Sequence, residues 1–351
     1  MMNTPASICV FRLSSLGDIV LTTVLLRRLR EQYPHACIIM VVAEHYAECV
    51  RYNIHCSAIV TVNTKEGIKG LWKARKKILA FTQGKKFDVV IDLHKNIRTF
   101  FLKKGLAKTY YSIDKFRKQK LDLVHKKIGK GQPIIHIVER YYQAAEHLQI
   151  SRDDKGAEVW TLSDFEQKEY LSFRPSNNLR RFAIAPGARH FTKRFPAEKY
   201  VDLIQALFLR YPDVTFELYG GEEEKELCAF IESQLPFPVK NYAGKLSLLE
   251  SVEHLDYCSL MVCNDSGLMH IAASRRIPVI AVFGSTVKEF GFTPYAVPFR
   301  IVESDIECRP CTHIGRDVCP KGHFHCMQMI TTEQCLAAVE EVLHDSAAYS
   351  S

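Results

Sequence analysis

Short, nearly continuous apolar runs recur along this chain, and a segment with helical spacing follows most of them. In the first half, helical patterns cover residues 19–34 and 70–81. Strands that are apolar on both faces are typical of parallel sheets, whose two faces are covered by helices. The pattern therefore predicts an α/β fold built from βαβ units. The predicted strands of this half are residues 7–13, 37–43, 58–63 and 88–93.

The same pattern restarts after a polar stretch at residues 173–181, which we interpret as a linker. Two series of βαβ units predict two doubly wound domains, with ligands bound beyond the carboxyl ends of the strands in a cleft between them. A chain of 351 residues also exceeds the usual size of one core. The expected parts are an N-terminal domain 1–175, a C-terminal domain 176–330 and a final amphipathic helix within 331–351.

The composition favours a globular protein of a reducing compartment. Apolar residues make up 47% of the chain and charged residues 25%. No apolar run reaches the ~18 residues that a membrane span requires, and the first residues lack the pattern of a signal peptide. Twelve cysteines in such a chain are typical of thiols in the cytoplasm.

The net charge of +8 is unevenly distributed. Residues 1–175 contain 30 Lys and Arg against 17 Asp and Glu, whereas residues 176–351 contain 17 against 22. The segment 95–130 alone has twelve Lys and Arg and two Asp. This concentration favours a polyanionic partner for the first half, and nucleic acid, a membrane surface and an acidic substrate all remain open.

A polar run, Asn264-Asp265-Ser266-Gly267, separates an apolar strand from a helix that carries His270 one turn in. Free N–H groups and the helix dipole at such a point attract anions. Gly267 lets a phosphate approach the backbone. Ordinary helix capping explains the same residues equally well when they are considered alone.

Asp18 ends the loop 14–18 after the first strand. A carboxylate there could take a proton from a sugar hydroxyl, or it could cap a helix that begins at Ile19. Neither half has a G-x-G-x-x-G motif after its first strand, which argues against a dinucleotide dehydrogenase.

Two loops of the second half could contact a nucleotide. The loop 185–196 offers Thr192 and Lys193 to a diphosphate, although a surface basic pair would look the same. The loop 219–226 places Glu222 where a ribose diol could donate to it, although an acidic helix start is the simpler interpretation.

Four cysteines lie close together near the end of the chain: Cys308, Cys311, Cys319 and Cys326. A C-x2-C pair followed by two more cysteines resembles zinc-ligand spacing, but six residues separate the second pair. A structural zinc, reduced thiols in an ordered loop and a disulfide are all compatible with this pattern.

Taken together and in this order, several motifs resemble glycosyltransferase family 9, the heptosyltransferases of lipopolysaccharide inner-core assembly. They are RLSSLGD (12–18), DLHKNIRT (92–99), KRFP (193–196), YGGEEE (219–224) and NDSGLMHIAAS (264–274) with PVIAVFG (278–284). The resemblance implies a GT-B fold, two Rossmann-like domains facing a central cleft. It also implies an inverting enzyme without a metal or other cofactor. The donor would be ADP-L-glycero-D-manno-heptose, and the acceptor Kdo-lipid A or a partly built core.

The resemblance also assigns roles to particular residues. Asp18 matches the general base of the family, and Lys193 the lysine on the donor diphosphate. Ser266 stands where many members have Thr, which retains the hydroxyl. The donor-binding set is Thr192, Lys193, Glu222, Asp265, Ser266, Gly267 and His270. The basic first half would hold the anionic acceptor, and we assign this contact to Lys95, Arg98, Lys118 and Lys120.

We therefore expect a monomeric glycosyltransferase that contacts the inner face of the inner membrane peripherally and binds no nucleic acid. Two alternatives remain open. One keeps the fold but uses another nucleotide sugar or a protein acceptor. The other is a basic nucleic-acid-binding protein, which would leave the motif from Asp265 to His270 unexplained. In GT-B enzymes a C-terminal helix of this kind often crosses back to the first domain.

Overall fold

The computed structural model describes residues 4–127, 131, 133–170 and 180–349. The chain divides into two compact units. The first comprises residues 1–115 and 137–170, and the second comprises residues 116–136 and 171–351. The predicted linker 173–181 lies outside the described residues except for its last two positions, which begin the first strand of the second unit.

A five-stranded parallel sheet forms the core of the first unit, with strand order β3-β2-β1-β4-β5. Its strands are β1 (Ser7–Phe11), β2 (Cys37–Ala43), β3 (Ala58–Val62), β4 (Phe87–Asp92) and β5 (Ala107–Ser112). Its helices are α1 (Leu16–Gln32), α2 (Gly67–Phe81), α3 (Ile97–Lys103), α5 (Ile137–Ala144) and α6 (Leu162–Gln167), with α4 (Arg117–Lys126) assigned to the second unit. The strand order reverses between β1 and β4, so the loops that follow these two strands are neighbours.

A six-stranded parallel sheet forms the core of the second unit, with strand order β11-β10-β9-β6-β7-β8. The strands are β6 (Arg180–Ala185), β7 (Val214–Leu218), β8 (Lys240–Asn241), β9 (Leu260–Asn264), β10 (Val279–Phe283) and β11 (Phe299–Glu303). The helices are α7 (Ala197–Arg210), α8 (Lys225–Ser233), α9 (Leu248–Leu255), α10 (Gly267–Ser274), α11 (His325–Gln328) and α12 (Thr332–Tyr349). Here the order reverses between β6 and β9, and the carboxyl ends of β6, β9 and β10 lie side by side.

The observed division differs from the predicted boundaries in the segment 116–136, which we had assigned to the first domain. Leu123 and Val124 of α4 are buried against Val287 and Phe290 of the second unit. The sequence did not predict this apolar contact, because the segment 95–130 is dominated by Lys and Arg and was interpreted as a basic face.

The final helix, α12, also belongs to the second unit. It packs on α7, β10 and β11 and contributes Cys335, Val339 and Val342 to the core there. Among the described helices, none combines the length and hydrophobicity that crossing a bilayer requires.

Candidate active site

Asp18 lies inside the first turn of α1, at its third residue, and not ahead of the helix. The backbone N–H and the hydroxyl of Ser15 donate to Asp18 Oδ2, at 3.1 and 2.8 Å. This contact lets α1 begin at Leu16, three residues before the predicted start at Ile19. The same side chain therefore closes the helix start and presents a carboxylate near the carboxyl end of β1.

Arg12, which the sequence analysis did not select, fixes the position of this carboxylate. Its Nη2 pairs with Asp18 Oδ1. Its Nη1 donates to the carbonyl oxygen of Leu93 at 2.5 Å, and its Nε to that of Ser14 at 2.8 Å. One guanidinium group thus joins the loop after β1 to the end of β4.

The surroundings of Asp18 favour its ionised form. Burial alone would raise the pKa of this carboxyl, but the charge of Arg12 and the hydrogen bonds from Ser15 outweigh burial, so the pKa lies below its usual value. The carboxylate is therefore charged at neutral pH and able to accept a proton.

His94, the next residue after Leu93, is a second polar group near Asp18 that sequence reasoning missed. Its Nδ1 is buried and has no hydrogen-bond partner among the described residues. Burial, together with the charges of Arg12 and Lys115, lowers the pKa of His94 to about 4. Its imidazole is therefore neutral at neutral pH and can hydrogen-bond an uncharged hydroxyl.

The four predicted acceptor-binding cations are divided between the units. Lys95 and Arg98 are exposed residues of the first unit, whereas Lys118 and Lys120 lie on α4 and belong to the second. The Nζ of Lys120 lies 4.9 Å from the centroid of the Phe292 ring. The four do not form a single cluster within either unit.

Asn264, fully buried at the end of β9, holds the loop after β6 in place. Its Nδ2 donates to the carbonyl oxygen of Pro186 at 2.7 Å, and its Oδ1 accepts from the N–H of Phe195 at 3.0 Å. The loop between these contacts contains Lys193. Asn264 was part of the motif in the sequence, but its role as an anchor depends on the neighbouring strand.

Lys193 and Asp265 form an ion pair at the carboxyl edge of this sheet, with Nζ 2.6 Å from Oδ2. The hydroxyl of Thr286, in the loop after β10, donates to the same oxygen at 2.7 Å. Three loops from adjacent strands thus meet at one carboxylate, and the structure brings together two of the predicted donor-site residues. Thr286 was not predicted.

The remaining residues of the motif lie at the start of α10. Ser266 is the residue before its first turn, and its hydroxyl is buried with no hydrogen-bond partner among the described residues. Gly267 is the first helical residue, and His270 is buried within the helix. The start of α10 and the uncommitted hydroxyl of Ser266 thus directly follow Asp265, the ion-pair partner of Lys193, and backbone N–H groups at a helix start can bind an anion.

The hydroxyl of Thr192, a predicted donor contact, forms hydrogen bonds within the protein. It accepts from the N–H of Arg316 at 2.8 Å and donates to the carbonyl oxygen of the same residue at 3.1 Å. The side chain therefore joins two loops, and it supports the neighbouring Lys193 through the backbone.

The acidic loop after β7 contains two carboxylates with different surroundings. Glu222 is exposed and pairs with Lys225, 2.7 Å away. Glu224 is half-buried and lies so close to Gly187 and Gly220 that a Cβ at either glycine would collide with it. Glu224, which was not predicted, is therefore the carboxylate that lies against the loops after β6 and β7.

Cys308, Cys311, Cys319 and Cys326 are free thiols, and so are the other eight cysteines of the chain. The Sγ of Cys308 lies 4.0 Å from Nε2 of His323. Across the parts of the chain that the structure describes, no three His, Cys, Asp or Glu side chains are arranged to hold a metal ion.

Two doubly wound parallel-sheet units are the architecture of GT-B glycosyltransferases. The family model for glycosyltransferase family 9 (heptosyltransferase) matches residues 75–321, more than half of the chain, and the chain belongs to this family. This confirms the resemblance found in the sequence and the predicted fold class.

Lipooligosaccharide heptosyltransferase 2 of Haemophilus influenzae is 31% identical over 192 residues, which are 52% of this chain and 52% of that protein. The chain thus spans about half the length of this curated relative.

Two solved structures are similar over nearly the whole chain. A family 9 glycosyltransferase of Veillonella parvula has a TM-score of 0.75 at 21% identity, covering 98% of this chain and 99% of that one. The ADP-heptose lipopolysaccharide heptosyltransferase II of Escherichia coli has a TM-score of 0.68 at 19% identity, covering 97% and 99%. At these identities the likeness shows the fold.

Proposed function

We propose that this protein transfers a heptosyl residue from ADP-L-glycero-D-manno-heptose to the inner core of lipopolysaccharide, with Kdo-lipid A or heptosyl-Kdo-lipid A as acceptor and with inversion at the anomeric carbon. The observation that carries the proposal is the convergence of Lys193, Asp265 and the start of α10 at the strand ends of the second unit. Family membership and the name of the Escherichia coli structural relative support ADP-heptose as the donor.

The donor diphosphate would occupy the start of α10. When the bond between the anomeric carbon and the β-phosphate oxygen breaks, negative charge develops on that phosphate. The N–H groups of Ser266 and Gly267 and the ammonium of Lys193 would stabilise this charge. Asp265 would belong to the donor site by holding the ammonium of Lys193 in place. His270 would complete the site, and Glu222 would accept from the ribose hydroxyls.

Asp18 would act as the general base. An acceptor hydroxyl attacks the anomeric carbon from the face opposite the leaving ADP, and its proton passes to Asp18. A single displacement of this kind inverts the anomeric centre and requires one carboxylate. The lowered pKa of Asp18 keeps that carboxylate ionised, and Ser15 and Arg12 hold its position.

The acceptor is an anionic saccharide on a lipid, so we place the protein in the cytoplasm, at the inner face of the inner membrane, as a monomer. Lys95 and Arg98 of the first unit are our proposed acceptor contacts, because both are exposed. Replacing both by Met should raise the KM for a Kdo-bearing acceptor and leave ADP binding unchanged. Lys118→Met with Lys120→Met tests the contribution of α4 in the same assay.

The direct test is incubation with ADP-heptose and Kdo-lipid A, followed by mass spectrometry and determination of the anomeric configuration of the product. We expect a product heavier by one heptosyl residue and inverted at its anomeric carbon. Thermal shifts with a panel of nucleotide sugars identify the donor independently of the acceptor.

Two results would refute this proposal. Stabilisation by another nucleotide sugar alone would mean that the protein is a glycosyltransferase of the same fold with a different donor. Nucleic acid binding at micromolar affinity in physiological salt, without stabilisation by any ADP-sugar, would favour the nucleic-acid alternative.

A further inference from the structure

Four large apolar side chains project into solvent from two helices of the first unit. On α2, Ile68 is 69% exposed and Trp72 is 52% exposed, and on α3, Ile97 is 83% and Phe100 63% exposed. Each pair is spaced by three or four residues, so its members share one side of their helix. We call this set, together with the cations around it, the α2–α3 face.

The two helices lie against each other and form one surface. The ring of Trp72 meets the ring of Phe101 edge-on, with centroids 5.3 Å apart. Arg75 of α2 donates to the carbonyl oxygens of Leu102 and Lys104 at 2.6 and 2.7 Å. The exposed apolar residues are therefore carried by a pair of helices held together at several points.

The charge of the α2–α3 face has a single sign. The helix α2 contains five Lys and Arg and no carboxylate, and α3 contains two and no carboxylate. Lys69, Lys76 and Arg98 are exposed next to the apolar side chains. The nearest acid in the sequence, Glu66, pairs with Lys73 at 2.8 Å.

We propose that the α2–α3 face docks on the surface of an anionic lipid bilayer. Aromatic and aliphatic side chains that reach the acyl boundary, surrounded by Lys and Arg at the level of the headgroups, are typical of helices that lie in a membrane interface. The inference builds on the proposed function, because a lipid-linked acceptor is presented at such a surface.

Other occupants fit the face less well. A second copy docked face to face would oppose two surfaces of the same charge. A nucleic acid would satisfy the cations, but it would leave Ile68 and Ile97 without a partner, since bases stack on aromatic rings and not on aliphatic chains. Lipid supplies both the negative charge and the apolar phase.

The experiment is vesicle binding by the purified full chain, without substrates. Vesicles of phosphatidylglycerol and phosphatidylethanolamine are compared with vesicles of phosphatidylcholine. The chain has two tryptophans, and Trp160 is buried, so a blue shift of the fluorescence reports on Trp72. We expect binding and a blue shift with the anionic vesicles, and weaker binding in high salt.

The apolar test variant carries Trp72→Ser, Ile97→Ser and Phe100→Ser, and its binding is followed by sedimentation. Its vesicle affinity should fall by about tenfold or more. The matched control is Leu209→Ser, because Leu209 is 82% exposed on α7 of the second unit and should be neutral. Lys69→Glu with Lys76→Glu should abolish the preference for anionic vesicles. If the triple variant does not fold, as circular dichroism would show, Ile97→Ser alone replaces it.

The outcomes separate this proposal from the proposed function. The apolar variant should transfer heptose to a deacylated, water-soluble acceptor at the wild-type rate and lose activity only on a vesicle-bound acceptor. The docking proposal would be overturned if the wild-type protein did not bind anionic vesicles. It would also be overturned if the variants bound these vesicles with the wild-type affinity. If the wild type dimerised with increasing concentration but did not bind vesicles, and the apolar variant did not dimerise, the α2–α3 face would be an interface with a second copy of the chain. Vesicle binding without heptosyl transfer would refute only the proposed function.

Discussion

The guanidinium of Arg12 pairs with the carboxylate of Asp18, the residue that we propose as the general base. The same guanidinium donates to the carbonyl oxygen of Leu93, so the base is positioned from two strand ends at once. Tyr141, on α5, places its ring 5.9 Å from this guanidinium and donates from its hydroxyl to the backbone oxygen of Asp18 at 3.2 Å.

Asp18→Asn should fold with reduced stability, because the amide oxygen can still accept from the N–H of Ser15 at the start of α1, whereas Arg12 loses its charged partner. Heptosyl transfer should nevertheless fall by roughly 10²–10⁴-fold, the usual contribution of a positioned base. ADP binding, which we assign to the other unit, should be unchanged in calorimetry. Ser15→Ala is the control for the helix start, since it removes the hydroxyl donor and keeps the carboxylate. A wild-type transfer rate in the Asn variant would reduce Asp18 to a helix-start residue.

Arg12→Met should change the pH dependence of transfer. The lowered pKa of Asp18 keeps the carboxylate ionised down to acid pH in the wild type. Without the guanidinium, burial is opposed only by the Ser15 hydrogen bonds and raises that pKa, so the acid limb of kcat/KM should move to higher pH. Arg12→Lys retains the charge and loses the forked contacts. The Lys variant should keep the wild-type pH profile at a lower kcat. Identical pH profiles for the Met variant and the wild type would show that Arg12 does not lower the pKa of Asp18.

The interior strands of both sheets could be predicted because they are apolar on both faces. The observed β2 has the predicted bounds, and β1 and β4 differ from theirs by one or two residues at an end. The apolar runs 259–263 and 278–284 predict strands that differ from β9 and β10 by one residue at each end. The strands missed were β5, β8 and β11, all at sheet edges. An edge strand has neighbours on one side only, and AKTYYS of β5, with three exposed residues, has no apolar run to detect.

Within the candidate site, the sequence predicted which loops carry the functional residues, but it did not predict which residues contact each other. Lys193 and Asp265 were selected from two separate motifs and lie in one ion pair. Arg12 and Thr286 were not selected, because their roles depend on contacts with residues 81 and 21 positions away. No local pattern encodes such a contact, since it arises from the order of strands in the sheet.

Substitutions of Lys193 and Asp265 should affect ADP binding in opposite directions. Lys193→Ala should weaken ADP by roughly 1.5–3 kcal/mol, the scale of a hydrogen bond to a charged group. Asp265→Asn should strengthen ADP binding, because the ammonium of Lys193 no longer pairs with a carboxylate and the diphosphate meets one negative charge fewer. Thr286 can still donate to the new amide oxygen, which preserves the local fold. Calorimetry that shows weaker ADP binding in both variants would mean that Asp265 itself contacts the nucleotide.

Glu158 should contribute to the acid sensitivity of the first unit. It is buried, accepts from Arg27 Nη1 at 2.6 Å and from the Trp160 indole at 2.9 Å, and lies 2.8 Å from His55 Nε2. Burial alone would raise the pKa of Glu158, but the His55 hydrogen bond and the Arg27 charge prevail and lower the pKa to about 2.

A carboxyl whose pKa is lower in the folded than in the unfolded state stabilises the fold above its unfolded pKa. That contribution, about 3 kcal/mol for this shift, should be lost as pH falls from about 4.5 towards 2. Glu158→Gln should therefore lower the free energy of unfolding at neutral pH, and its stability should fall less steeply than that of the wild type below about pH 4.5. Urea unfolding at closely spaced pH values measures both slopes. The control is Glu169→Gln, because Glu169 is an exposed residue of the same unit. If the free energy of unfolding of Glu158→Gln depended on pH as steeply as that of the wild type, other carboxyl groups would cause the acid sensitivity.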